Sequence, residues 1–433
     1  MKNFNKLLAV CLLVFSTNNY VWFALVFWAY LTTQNVISTS IVGGVFLVGA
    51  TLTGFWFGSI VDHHKKKTAM MGSSIATLSF FVFGFLIFTL TPSSVFNSVA
   101  SYQFWTLVIV LLGGSLSGGI YNIAIPTLIG HTLPEEDRDK ANGKFGMING
   151  LSFGITSVAS GLVLGFFGMY WVLLSALVCT VIAIITLVFV EIPERKIIHV
   201  DGQEPEAKKI DIKGSIKAIK LVPGLFALIF FTTFNNFLGG VFMALMDAYG
   251  LTLVSVQVWG AIWGALSFGF ILGGMYIAKY GLGTNPIRTL FLINIIMWVD
   301  CILFTIQPTI VLLVIGMIIW MPLVPFVEAT EQTIMQKVVP PERLGRVFGF
   351  AHSVEQAASP LTAFMIGPIA QFVFIPFMTT GTGVELIGDW FGVGKGRGIA
   401  LVFMLAGLIG LIVTIFAMKS RPAKALADAY LAE

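Results

Sequence analysis

A chain of 433 residues that is 57% hydrophobic and only 11% charged does not have the composition of a soluble globular protein, where about 25% of residues are charged. Its net charge of +4, from 25 Lys and Arg against 21 Asp and Glu, is not gathered into a patch that could hold a nucleic acid. Cys11, Cys179 and Cys301 lie far apart in apolar stretches, so they read as small buried hydrophobes and imply neither a disulfide framework nor a metal site.

Twelve apolar stretches are each long enough to cross a bilayer as a helix. They run over roughly 7–32, 37–61, 68–90, 103–129, 141–165, 168–190, 224–249, 254–279, 287–307, 309–335, 346–373 and 398–418. The first follows Lys2 and Lys6, is too long for a signal-peptide core and lacks a small-residue cleavage site, so it is expected to remain as a spanning helix. Twelve crossings put both termini on one side. Lys65 to Lys67, then Arg138, Lys140 and Lys144, then the central linker, Lys279 and Arg288, then Lys337, Arg343 and Arg346, and finally the tail all fall on that same side. Only Lys395 and Arg397 fall on the other, so the positive-inside rule makes both termini cytoplasmic. The expected fold is all-α and integral to the membrane.

The longest polar break, Glu191 to Lys220, separates six spans from six. The expected division is a first half at 1–190, a cytoplasmic linker at 191–222, a second half at 223–419 and a tail at 420–433. Residues 211–220 read either as an amphipathic surface helix or as solvated linker. Phe377 to Gly396 carries six glycines and is expected to form a loose outer cap.

The halves repeat. FSTNN at 15–19 returns as FTTFNN at 231–236, Gly44 matches Gly260, Gly58 matches Gly274, and Leu133-Pro134 matches Val339-Pro340. Six helices per half give both copies the same orientation, so they are parallel repeats about an axis along the membrane normal, with a site expected near the midplane. Through the repeat, Asn122 of the fourth span corresponds to Glu328 of the tenth, and Asn18 and Asn19 of the first to Asn235 and Asn236 of the seventh. Tyr121, Ser16, Thr17, Thr232 and Thr233 stand beside them. Such groups either knit helices together by hydrogen bonds or line one substrate cavity; their recurrence on four symmetry-related helices favours the cavity.

Acids within spans need a reason, because a charged Asp costs about 2.5–3.5 kcal/mol at a helix centre. Glu328 and Glu355 flank the basic turn Lys337–Arg346 at equal distance, each roughly 13 Å into the apolar layer. Glu328 reads as the cavity acid at which a proton could be exchanged for a cationic substrate, or as a hydrogen-bonded packing residue. Pro322 and Pro325 are expected to interrupt its helix. Glu331, one turn nearer the cytoplasm, is expected to reach out to the boundary. Glu355 is assigned to the seam between the halves, as a structural network or a proton relay. Asp300, whose counterpart is Gly84, is a third proton-coupling candidate whose neighbouring helix the sequence does not name.

The segment GSIVDHHKKK at 58–67 resembles the signature loop of the major facilitator superfamily: Gly58 and Asp62 match, and Lys66 and Lys67 fill the closing basic positions. The second copy keeps Gly274 and has Ala278 in place of the acid. The six-plus-six plan extends the resemblance over essentially the whole chain. PEEDRDKANGK and PPERLGRVFG are similar to the corresponding loops of the drug:proton antiporter branch that includes macrolide and siderophore exporters. In the fifth span, GITSVASG at 154–161 has Ser157 where that branch's motif has Pro; glycines 146, 150, 154 and 161 are expected to give the close packing the motif supplies.

The resemblance implies a cytoplasmic gate made by Gly58, Asp62, Lys66 and Lys67 with Arg138, Arg343 and Arg346, although a solvated helix stop is the plainer reading of Asp62. It also implies a secondary transporter, working by alternating access without a cofactor and driven by the proton gradient. Its expected partners are a small-molecule substrate, protons and the lipid bilayer, with no nucleic acid, and it is expected to act as a monomer in the bacterial cytoplasmic membrane. The leading expectation is proton-coupled efflux of amphipathic or cationic compounds; the alternative is a symporter importing a metabolite. No Walker-type glycine loop supports ATP drive. A membrane lipid-modifying enzyme is disfavoured, because no clustered nucleophile or metal set accompanies the five histidines.

Overall fold

The computed structural model describes residues 2–132, 135–192, 219–339 and 341–432, together with Ile216. Lipid offers backbone groups no hydrogen-bond partner, so apolar spans must close their bonds within helices, and the described residues do so. The first seven helices are α1 (Lys2–Thr33), α2 (Val36–His63), α3 (Lys66–Leu90), α4 (Tyr102–Ser117), α5 (Ile120–Thr132), α6 (Glu135–Phe167) and α7 (Met169–Phe189). After them come α8 (Leu225–Leu253), α9 (Val256–Leu266), α10 (Phe268–Tyr280), α11 (Pro286–Leu303), α12 (Ile310–Val338) and α13 (Pro341–Ile369). The last four are α14 (Ile375–Thr379), α15 (Thr382–Phe391), α16 (Lys395–Lys419) and α17 (Arg421–Ala432). Among the described residues, twelve stretches are long and apolar enough to cross a membrane. The fourth joins α4 to α5, the eighth joins α9 to α10, and the eleventh runs from α13 through a π-helical turn at Ala370–Phe374 into α14.

Polar residues at the turns start the helices. Asn35 accepts from the Ile37 amide at 2.9 Å and opens α2. Asn285 accepts from the Arg288 amide at 3.0 Å, with Pro286 next to it, and opens α11. Helix ends are also closed by side chains. Lys67 Nζ donates to the carbonyls of Val188 and Val190 at 3.0 and 2.7 Å, placing a cation at the negative end of α7.

Contacts divide the chain into two compact units, Met1–His199 with Val254–Ser267, and Val200–Leu253 with Phe268–Glu433. The division expected from sequence therefore misses one element: α9 packs with the first unit, against α6. The reason is steric. A Cβ at Gly161 would meet the Val256 carbonyl and stand 3.2 Å from the Gly260 Cα, and one at Gly264 would stand 2.9 Å from the Gly154 carbonyl. Gly154 and Gly161 thus fit the expected close packing, while Gly146 and Gly150 face open space. The core of this unit gathers Val10, Cys11, Val14, Tyr121, Leu128 and Leu187.

In the second unit, Leu228, Leu290, Ile334, Val347 and Leu426 form the corresponding core. Leu426 belongs to α17, so the tail is a packed helix, and Lys337 Nζ stands 4.3 Å over the Tyr430 ring. The helix α12 stays continuous through Pro322 and Pro325, contrary to the expected break. Two glycines of α10 explain how it is accommodated: a Cβ at Gly269 would stand 2.6 Å from Met321 Cβ, and one at Gly273 would meet the Pro322 carbonyl. The expected loose cap is instead helical in α14 and α15. It is held by Arg397, whose Nη1 and Nη2 donate to the carbonyls of Thr305 and Ile306 at 2.9 Å each while the guanidinium lies 3.7 Å over the Phe391 ring.

Candidate functional site: an acidic recess in the second unit

A recess of about 530 Å³ opens among α8, α11, α12 and α13, within the range of about 300–1,000 Å³ usual for small-molecule sites. Its polar wall holds Asn235, Asn236, Glu328, Glu331, His352 and Glu355, and its apolar wall holds Phe242, Trp298 and Trp320. The aromatic side is internally packed, with Trp320 5.7 Å from Phe242 and 6.0 Å from Trp298. Helical spacing accounts for the polar wall. Asn235 and Asn236 are a turn beyond Thr232 on α8, Glu328 and Glu331 are three apart on α12, and His352 and Glu355 are three apart on α13.

Hydrogen bonds fix these groups. Asn235 Nδ2 donates to Asn294 Oδ1 at 2.9 Å, and Asn294 in turn donates to the Leu290 carbonyl at 2.9 Å. Thr232 Oγ1 donates to Glu355 Oε1 at 2.8 Å, and Ser359 Oγ donates to the Asn236 carbonyl at 2.8 Å. Glu331 Oε1 is buried without a hydrogen-bond partner, as is Asn235 Oδ1. A recess with aromatic faces, amides and several carboxyls can hold an amphipathic cation by burying its apolar body and meeting its charge.

The sequence placed Glu355 at a seam apart from Glu328 and sent Glu331 outward; the structure puts all three carboxyls on one recess. Glu331 is the residue that reasoning along the chain missed. The spacing from Glu328 carried the signal, because residues three apart share a helix face. Depth alone suggested an outward reach.

The first unit has a smaller recess of about 290 Å³ lined by Asn18, Asn19, Asn122, Ser115, Thr53 and Phe57, among others. Among the described residues it carries amides and hydroxyls and no carboxyl. Asn18 Oδ1 is buried without a partner, and Asn19 Nδ2 donates to Ser152 Oγ at 3.3 Å. Tyr121 is not in its lining: it is fully buried, and its hydroxyl pairs with Ser74 Oγ at 2.8 Å. The neighbouring Asn122 does line the recess.

Asp300 is 8% exposed and stands apart from both recesses, against Gly316 of α12. Of the expected gate, Lys67 closes α7 as described above. The side chains of Gly58, Asp62, Arg138, Arg343 and Arg346 lie outside the described residues, as do most residues of the 193–218 linker.

Comparison with known proteins gives concordant results. The family model described as Major Facilitator Superfamily matches residues 7–363. Macrolide efflux protein A of Enterococcus faecalis is 24% identical over 339 residues, covering 75% of this chain and 98% of that relative. Macrolide efflux protein A of Streptococcus pyogenes is 23% identical over 340 residues, covering 75% and 79%. Among solved structures, the nucleoside transporter NupG superposes with a TM-score of 0.73 at 12% identity, covering 97% of this chain and 100% of NupG. A D-xylose–proton symporter superposes with a TM-score of 0.66 at 13% identity, covering 97% and 98%.

Proposed function

Since the chain belongs to the Major Facilitator Superfamily, and is thus a multi-pass membrane transporter and not an enzyme, we propose that it expels amphipathic or cationic small molecules in exchange for protons. The observation that carries this reading is Glu328 on a recess that also presents Phe242, Trp298 and Trp320. A cation with a bulky apolar body meets a carboxyl on one side and aromatic faces on the other. The resemblance to macrolide efflux proteins supports export as the direction and a bulky amphipathic substrate. Alternating access then carries the load between the two sides of the bacterial cytoplasmic membrane, with both termini cytoplasmic, the proton gradient as the energy source and a single copy as the working unit.

The superposition on a D-xylose–proton symporter favours a second reading, import of a metabolite with protons, because the same carboxyls serve either direction. One experiment separates them. In proteoliposomes of known polarity, a macrolide gradient drives counter-movement of protons through the parent protein, and Glu328→Gln loses it. Proton movement in the same direction as substrate establishes the symporter. Coupled transport that survives in Glu328→Gln removes that residue from the mechanism.

A further inference from the structure

We propose that Asn235 Oδ1 is the acceptor by which the recess recognises an uncharged hydroxyl of its ligand, and that Asn294 is the positioning residue that turns it to that task. This deepens the reading of an amphipathic substrate and rests on it.

The donor inventory fixes which way both amides point. A backbone carbonyl can only accept. The Asn294 side chain lies 2.9 Å from the Leu290 carbonyl, one turn back on α11, so it presents Nδ2 there and turns Oδ1 toward α8. Asn235 meets that oxygen with its own Nδ2, also at 2.9 Å. The Asn235 amide therefore cannot exchange its two ends, and Oδ1 is the end left over. That oxygen is buried without a partner. Asn294 is 3% exposed, so water does not compete for the anchor.

The fold also leaves room beside the acceptor. Side chains on a helix lean toward its N-terminus, so a side chain at position 239 covers the turn that carries residue 235. That position is Gly239, which lines the recess with Asn235 and Phe242, and a Cβ added to it would have nothing within 4 Å. A ligand hydroxyl over Gly239 approaches Asn235 from this uncovered side, while Phe242, about one turn further on, meets the apolar body. A buried oxygen without a partner gives up no bond to water when such a donor arrives, so it rewards the donor more than an ordinary exchange of hydrogen bonds does.

The first half of the chain lacks this device. Asn18, the counterpart of Asn235, also has an unpartnered Oδ1. By the pairing of Gly84 with Asp300, however, Leu78 stands at the position of Asn294, and its side chain has nothing with which to hold an amide.

The test measures equilibrium binding to the full-length protein in detergent, with a hydroxyl-bearing macrolide and derivatives methylated at one hydroxyl at a time as probes. Methylation removes a donor and leaves the charge unchanged. One methyl ether should bind the parent roughly 3- to 10-fold more weakly than the free hydroxyl, the worth of one hydrogen bond. Asn235→Leu should lose that discrimination by binding the free hydroxyl as weakly as the ether. Asn294→Leu, which gives the second half the residue of the first, should lose it too while its affinity for the ether stays parental. Asn294→Asp, which keeps an acceptor for Asn235 Nδ2, should restore it. A merely structural role at either position weakens both probes alike and leaves their ratio unmoved. Gly239→Val should also erase the discrimination, and because an added Cβ meets nothing there, this variant decides the proposal should Asn294→Leu not fold. Equal binding of the hydroxyl and every ether by the parent, or parental discrimination in Asn235→Leu or Gly239→Val, overturns the proposal; parental discrimination in Asn294→Leu overturns the positioning role. The outcome is separable from the direction of transport. Discrimination by a protein that imports the probe with protons keeps the acceptor and removes the efflux reading, whereas coupled efflux without discrimination removes the acceptor alone.

Discussion

The carboxyl of Asp300 lies against Gly316: a Cβ added at that glycine would stand 3.1 Å from Asp300 Oδ1 and would also meet the Cβ of Phe304. In the first half of the chain the missing side chain is on the other helix. There a Cβ added at Gly84, the counterpart of Asp300, would stand 2.6 Å from Leu111 Cδ2 and 3.6 Å from Val110 Cγ1. Val110 is in turn the counterpart of Gly316, by the repeat that relates Asn122 to Glu328. The two copies fill one gap from opposite sides. Gly316→Ala is therefore expected to lower stability by about 1–3 kcal/mol through overpacking. The loss should be partly relieved in the Asp300→Gly, Gly316→Ala double variant, since residues in contact are not additive. Thermal unfolding in detergent measures both.

The same position argues against a part for Asp300 in proton exchange. Its side chain belongs to a helix contact and lines neither recess. Asp300→Asn is expected to keep substrate-driven proton movement in proteoliposomes at parental stoichiometry, where Glu328→Gln loses it. A folded Asp300→Asn protein that no longer moves protons would place this acid on the proton path.

The spans were legible because lipid leaves the backbone no alternative to the helix, and Lys and Arg placement ordered them. The repeat brought Asn18, Asn19, Asn122, Asn235, Asn236 and Glu328 forward as the lining of one cavity; the structure puts Asn235, Asn236 and Glu328 on the recess of the second unit and Asn18, Asn19 and Asn122 on that of the first. What could not be read was rotation about each helix axis. Tyr121 and Asn122 are adjacent, yet one points into the core and the other into a recess. Glu331 was judged by depth, while its rotation about α12 puts it on the recess that Glu355 also lines. Arg397 was read only as a charge between two spans, and its acceptors, the Thr305 and Ile306 carbonyls, are far away in sequence. The break between α4 and α5 at Gly118-Gly119 also gave no signal by hydropathy. Gly118 sits where a Cβ would collide with the Asn18 carboxamide, a contact that only folding reveals.

Arg397 gives a test of the glycine-rich segment. The residue is 3% exposed, and its guanidinium bridges two carbonyls just past the end of α11 while stacking on Phe391. Hydrogen bonds to a charged group contribute about 1.5–3 kcal/mol each, so Arg397→Ala is expected to lower stability by about 2–4 kcal/mol. Arg397→Lys is expected to recover little, because an ammonium cannot present a planar fork to both carbonyls and a ring face. Protease cleavage within residues 377–396, followed against the parent, reports whether α15 loosens when this anchor is removed.

The packing of α6 on α9 makes an internally controlled prediction about glycine. Both Gly146 and Gly161 are helical, and in an exposed helix interior Gly→Ala stabilises by roughly 0.5–1 kcal/mol. Gly146 has nothing within 4 Å of an added Cβ, so Gly146→Ala should show that gain. At Gly161 the obstacles are the Val256 carbonyl and the Gly260 Cα, and backbone cannot rotate aside as a side chain can. Gly161→Ala is expected to cost about 1–3 kcal/mol, because α9 must move outward to admit one methyl. The opposite signs are the diagnostic result, read as shifts in thermal midpoint for the two variants under one detergent condition. Equal stabilisation by both substitutions would mean that α6 and α9 do not approach at Gly161 in the folded protein.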